Sequence, residues 1–288
     1  SKYSAMSMLI SYIIVSILQV VILLTNKNLY LFCLTYSLDF LLIAIFLLVI
    51  YKNKGTQKLS FSFKIGKKML NKSKYYIIST MMVTIFAQTD KIMLKMMLDN
   101  SSVGYYTAGN TCATMFAFVF AAILDSFRPI VFEAKKKSNE AFQDQMKKLY
   151  SILIYFSLLI CLLSTIFSPL IIKIMYGKEY SLAIPVLRVV VWYTTFSYLG
   201  SARNIWVMAE EKQKYLWIMN LSGAIINIIL NLILIPVYNI VGAAIASLIT
   251  QIFTNIIIGF IIKPIRENNK LMIQALNIRN LKNIFFSQ

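Results

Sequence analysis

TDKIMLKMMLDNSSVGYYTAG, residues Thr89 to Gly109, joins two apolar segments and carries charge at membrane depth. The run that leads into it, Tyr75 to Leu98, is apolar enough in bulk to span a bilayer, yet it contains Asp90, Lys91 and Lys95. Charge inside a spanning segment is expensive and by default marks a site or a pathway. Counted from Thr84 at about 100° per residue, Gln88 falls at about 40°, Lys91 at about 340° and Lys95 at about 20°. These residues form one polar stripe on one face of a helix. Asp90 falls off that stripe and is expected to meet a different neighbour. A striped membrane helix needs a wet or protein-lined surface to face.

The whole chain is built for lipid. It has 288 residues, 59% of them hydrophobic and 14% charged, with a mean hydropathy of +0.70. That balance belongs to polytopic membrane proteins and not to soluble domains. Eight apolar runs have spanning length, about 20 residues for a hydrocarbon core of about 30 Å. They are Ala5 to Leu24, Leu29 to Tyr51, Tyr75 to Leu98, Val103 to Phe132, Leu149 to Phe167, Ile184 to Met208, Tyr215 to Tyr238 and Val241 to Ile262. Backbone groups find no water in lipid, so each run is expected to be a helix. The expected fold is an all-α integral membrane protein, a polytopic bundle of about eight helices.

Charge distribution sets orientation. The formal net charge is +18. Lys52 to Lys74 holds eight lysines and no acid, Glu133 to Lys148 five lysines, Glu210 to Lys214 two, and the tail from Lys263 five basic residues. Only Lys27, Lys173 and Lys178 lie in the segments on the other side. Basic residues concentrate on the cytoplasmic side, which places both termini and both long loops there. The same distribution accounts for the charge without a nucleic-acid partner, since the lysines are scattered over loops. Histidine is absent, and Cys33, Cys112 and Cys161 lie in apolar runs without metal-ligand spacing. No metal, cofactor or disulfide framework is expected. A glycan-polymerising enzyme would need catalytic groups in an outer loop, and Ser168 to Ala183 offers only Lys173, Lys178 and Glu179.

Polar residues also recur along single faces of other helices. Asn220, Asn227 and Asn231 do so in the seventh run, and Ser247, Gln251 and Asn255 in the eighth. Two readings stand: hydrogen bonds between helices, at about 1 kcal/mol each, or a hydrated lining. Gly242, Ala243, Ala244 and Ala246 form a small-residue patch suited to close helix packing. Asp39 sits within the second run, Asp125 and Arg128 three residues apart in the fourth, and Arg188 and Arg203 near opposite ends of the sixth. Asp125 and Arg128 can pair on one helix face. Lys95, Arg128 and Arg203 are within reach of an interface by snorkelling. Lys91 lies about 9 Å from the outer end of its helix, at the limit of that reach.

The Asp90-Lys91 pair leading to Val103-Gly104-Tyr105-Tyr106, the turn Gly177-x-Glu179-Tyr180, and Asn231 and Pro236 ahead of Gly242-Ala243-Ala244 together carry a resemblance. In order and spacing they resemble the polysaccharide flippases of surface-glycan assembly. Those belong to the multidrug, oligosaccharidyl-lipid and polysaccharide exporter superfamily. The resemblance covers Ile65 to Lys263. It implies two lobes of about six helices around a cationic chamber. Residues 1–51 would then be the last two helices of the first lobe, 52–74 a basic cytoplasmic link, 75–263 the second lobe and 264–288 a cytoplasmic tail. About four N-terminal helices of the family pattern are not in this sequence, which begins at Ser1. The implied activity is transfer of an undecaprenyl-diphosphate-linked oligosaccharide across a bacterial plasma membrane for O-antigen, capsule or similar glycans, alongside other assembly proteins. Lys91, Lys95, Gln88, Arg128 and Arg203 would line the diphosphate and glycan path. Asp39, Asp90 and Asp125 would be the candidates for coupling to a proton or sodium gradient. The alternatives are a multidrug-type antiporter and a truncated protein that does not transport.

Overall fold

The computed structural model describes residues 2–25, 28–54 and 62–277, and every regular element among them is helical. By its internal contacts the chain divides between Lys67 and Lys68, inside the basic segment.

The first unit is a helical pair, α1 (Lys2–Thr25) and α2 (Leu29–Lys54). Both are apolar nearly all round, which suits lipid-facing helices with no water-facing side. What is polar is turned inward between the two. Ser11 Oγ donates to Asp39 Oδ1 at 2.5 Å and to the Asp39 carbonyl at 3.0 Å, and Gln19 Nε2 donates to Thr35 Oγ1 at 2.9 Å.

The second unit begins within α3 (Phe63–Met97). This helix starts well before the third apolar run, since lysine is a good helix former and its residues 63–74 carry the basic segment in helical form. Residues 55–61 of the expected basic link lie outside the described residues. The fourth run is two helices, α4 (Asn100–Thr114) and α5 (Ala117–Lys137), bent by 43° at residues 115–116. Asp99 caps α4 by accepting from the Ser102 amide at 2.7 Å, and Ser138 caps α6 (Asn139–Ile166) by accepting from Ala141 at 3.0 Å. A short α7 (Ser168–Tyr176) ends at Gly177, whose φ of +86° favours glycine. The helix that follows, α8 (Ala183–Ala209), is the hub of the unit and packs against α4, α5, α6 and α9 (Leu216–Ile252).

The seventh and eighth runs form α9, which breaks at Asn239 with φ of +52°. Its ψ of −133° lies outside the left-handed helical well that asparagine tolerates, so the reversal strains the backbone at this residue. Asn231 lies eight residues before the break and Ser247 eight after, and both reach Asp90. The two legs, 216–238 and 240–252, therefore lie side by side. Gly242 makes the close return feasible, for a Cβ there would overlap the Leu234 carbonyl. The second leg passes into a π turn, Phe253–Ile257, then α10 (Ile258–Ile261) and α11 (Arg266–Gln274). The expected tail is thus docked where it can be described. Tyr150 of α6 donates to Asn268 Oδ1 at 2.6 Å and Ser151 to the Ala275 carbonyl at 2.7 Å, while residues 278–288 lie outside the described residues.

Four helical stretches are long and apolar enough to cross a membrane, or five if α4 and α5 make one broken span. One of these, Gln213–Ile261, holds both legs of α9. Two of the eight expected runs, those of α3 and α8, are not among them. Both carry charged residues within their length.

Candidate functional site

Asp90 of α3 is the buried carboxyl group of the second unit, only 4% exposed. An isolated carboxylate in a membrane protein's interior is intolerable unless its lone pairs are used. Here four side chains from two other helices use them. Tyr106 of α4 donates its hydroxyl to Oδ2 at 2.6 Å, and Ser247 of the second α9 leg donates to the same oxygen. Asn231 Nδ2 donates to Oδ1 at 2.7 Å and Asn227 Nδ2 at 3.2 Å. Asn231 also donates to Asn227 Oδ1 at 3.1 Å, which fixes both amides. No cation pairs with Asp90 among the described residues. Its charge is dispersed over hydroxyl and amide dipoles alone.

The sequence builds this nest by spacing. Asn227 and Asn231 are one turn apart on one leg, and Ser247 sits at the matching height on the other. Tyr106 follows the Asp99 cap by two turns, which brings α4 back along α3. Beside the nest is a small cavity of about 70 Å³ that Asp90 shares with Lys91, Asn110 and Tyr193. The site is therefore an oxygen-rich pocket, with a carboxylate, two amides and hydroxyls, next to a lysine that is half-buried. Such a set can hold a proton or a hard cation, which prefer oxygen ligands. Among the described residues there is no cluster of three or more His, Cys, Asp or Glu side chains that could hold a metal ion.

The other residues singled out from sequence are dispersed. Gln88 and Lys95 are exposed on α3, on the same side as Lys91 by helical spacing. Asp125 and Arg128 pair at 3.4 Å on the surface of α5, as their spacing predicts. Asp39 belongs to the first unit and is held by Ser11. Arg203 does not snorkel. It is 2% exposed and donates from Nη1 to the Thr254 carbonyl at 2.8 Å. Its physical reason is the π turn, which puts the helix ladder out of step beside it and offers a main-chain oxygen. Tyr106 was legible only as part of a turn motif, because nothing in its own segment reveals a partner sixteen residues away on another helix.

Outside the spans, Glu210 anchors the connection between α8 and α9. It pairs with Lys135 at the end of α5 and with Lys212 at 3.5 Å, and Lys212 lies 4.4 Å from the centre of the Trp206 ring. Partial burial works to raise the Glu210 carboxyl, but the hydrogen bond and charge of Lys135 and then Lys212 outweigh it and hold it below the ordinary value.

The second unit is thus a bundle of helices in which α3 carries, in its C-terminal third, a buried carboxyl group solvated by hydroxyl and amide dipoles. Residues 76–233, more than half of the chain, match the MatE family, and the chain belongs to that family. Residues 1–135 also match a family described as polysaccharide biosynthesis protein. An uncharacterized membrane protein of Methanocaldococcus jannaschii is 27% identical over 228 residues, which is 73% of this chain and 44% of that protein. A probable low-salt glycan biosynthesis flippase of Haloferax volcanii is 25% identical over 190 residues, 65% of this chain and 40% of that protein. The chain thus spans less than half the length of these relatives. Among solved structures, the lipid II flippase MurJ in an inward closed conformation matches 99% of this chain and 60% of its own, with a TM-score of 0.66 and 16% identity. An outward-facing multidrug resistance MATE family transporter of the MOP superfamily matches 74% of this chain and 49% of its own, with a TM-score of 0.57 and 18% identity. The fold is that of the exporter superfamily to which the sequence motifs pointed.

Proposed function

We propose that the protein moves a lipid-linked oligosaccharide across the membrane, with Asp90 as the ion-coupling group. The observation that carries this is the pairing of a buried, cation-free carboxylate nest with a neighbouring lysine stripe, in a lobe of the MatE family. The named glycan flippase among its relatives supports the class of cargo. An undecaprenyl diphosphate carrier, and a surface glycan such as O-antigen or capsule, are the finer form of the proposal. A diphosphate cannot cross lipid bare and needs cationic groups that meet it in a wet chamber. Lys91 and Lys95 are the candidates on α3, with Gln88 beside them; lysine holds phosphate as a point charge. Arg128 is a weaker candidate, since Asp125 already neutralises it.

Of the three acids, Asp90 is the best placed for coupling. Asp125 is exposed and paired, and Asp39 is fixed to Ser11. A proton or sodium ion entering the Asp90 nest would displace Tyr106, Ser247 or an asparagine amide as donor. That exchange would alter how α3 is tied to α4 and to both legs of α9. The proposal places the protein in a bacterial plasma membrane, and the basic loops support an orientation with both termini in the cytoplasm.

The test is Lys91→Ala in the full-length protein in its own cell. Surface glycan is expected to be lost at normal membrane abundance. Normal glycan display at the same abundance would remove Lys91 from the path.

A further inference from the structure

A second cavity of the same unit, about 130 Å³ in volume, lies between α3, α8, both legs of α9 and the π turn. Its accessible polar lining is neutral. Half-buried Ser197, Ser201 and Asn204 of α8 meet Asn220 and Gln251 of the two α9 legs around it, and no acid or lysine lines it. The one cation in the wall, Arg203, is 2% exposed and spends Nη1 on the Thr254 carbonyl at 2.8 Å. Met82 and Val83 of α3 add an apolar patch. Lipid covering these amides and hydroxyls would leave their hydrogen-bonding groups unused, so the cavity suits water or a polar cargo.

The lining is supported from behind. Asn255, 4% exposed, donates from Nδ2 to Gln251 Oε1 at 2.5 Å, which orients the Gln251 amide and leaves its nitrogen to donate. No described residue accepts from that nitrogen or from Asn204 Nδ2. A Cβ at Gly200 would overlap the Asn255 amide, so α8 must come this close for the support to exist. Amides both donate and accept, as sugar hydroxyls do. The cavity is far larger than the roughly 10–15 Å³ that one water needs, and well below the roughly 300 Å³ at which pockets for drug-sized molecules begin. That leaves room for a single sugar ring and not for a chain. Lys91 lies eight residues beyond Val83, which is about 12 Å along α3 and about 80° around it. A cargo whose diphosphate met Lys91 would bring its proximal sugars to this level.

We infer that this cavity is a sugar subsite, which takes one neutral ring of the lipid-linked glycan. Gln251 and Asn204 are its hydrogen-bonding side chains, and Asn255 positions Gln251. The inference rests on the flippase reading and deepens it, since the lysines of α3 would meet any diphosphate whereas this cavity selects among sugars. A site built to hydrogen-bond hydroxyls discriminates against a cargo that lacks them, because its own polar groups are then left unpaired.

The experiment uses the full-length protein in nanodiscs of phosphatidylcholine and two probes, farnesyl diphosphate and farnesyl diphosphate bearing di-N-acetylchitobiose, with the saturable rise in unfolding midpoint as readout. The glycosylated probe is expected to bind roughly fivefold tighter or more, the effect of about one net hydrogen bond. Gln251→Ala and Asn204→Ala should each cancel that advantage while farnesyl diphosphate binds as before, so one misfolded variant does not end the test. Asn255→Ala should reduce the advantage in the same selective way, which a general loss of stability would not do. Equal binding of the two probes by the wild type, an advantage that survives in the folded variants, or a loss common to both probes would overturn the subsite and leave the flippase reading standing. If neither probe binds the wild type, the flippase reading fails and the subsite fails with it.

Discussion

At the scale of single residues, Asp90 ties α3 to α4 and to both legs of α9. Its four donors come from Tyr106, Asn227, Asn231 and Ser247. Removing the acceptor leaves them buried without it, and an orphaned buried donor costs about 1–3 kcal/mol. Asp90→Ala should therefore destabilise the purified protein by about 3 kcal/mol or more, read as a lower unfolding midpoint in detergent, while Lys95→Ala, at an exposed position, should stay near the wild type. Equal midpoints for the two variants would show that the nest does not bind the helices together. Glu210 gives a pH signature outside the membrane. Its carboxyl is held below the ordinary value, so its contribution is fully present above the unfolded value of about 4.3 and is lost as pH falls through the lowered folded one. Stability should fall off below about pH 4 in the wild type, and Glu210→Gln should make that slope shallower. An unchanged slope would mean that the Lys135 and Lys212 pairs contribute nothing in solution.

At the scale of elements, periodicity was a good guide and partner choice was not. The stripe of Lys91 and Lys95, the off-stripe position of Asp90, and the faces holding Asn227, Asn231 and Ser247 are all local facts of a 3.6-residue repeat, so they were legible. That Asp90 meets those asparagines depends on the reversal at Asn239, where no glycine marks the positive φ. The π turn at 253–257 was invisible too, since it arises from how the second leg of α9 packs on α8 and not from a residue code. It is what turned Arg203 from a snorkelling residue into a buried one. The glycines make this testable. Gly200→Ala forces a Cβ into Asn255, and overpacking of this kind costs typically about 1–3 kcal/mol. Gly104→Ala meets no atom within 4 Å and should be tolerated. If the two alanine variants unfold together, the close contact between α8 and the π turn is not a constraint.

At the scale of the molecule, composition alone was enough for a polytopic helical protein, because 59% hydrophobic residues leave no soluble alternative. The family membership of residues 76–233 and the MurJ-like fold agree with that reading. The cargo is a different matter. It depends on a chamber to which side chains from the whole transporter contribute, and this chain spans less than half the length of its curated relatives. The proposed function rests on α3 and its surroundings, where Asp90 is buried in the lobe and Lys91 and Lys95 lie on another face of the helix. The most direct measurement reconstitutes the full-length protein in liposomes and follows translocation of a polyprenyl-diphosphate-linked oligosaccharide, with and without a proton or sodium gradient, for wild type and Asp90→Asn. Gradient-driven translocation is expected in the wild type, with a loss of roughly a hundredfold or more in the variant. Gradient-driven translocation by Asp90→Asn at the wild-type rate would contradict it.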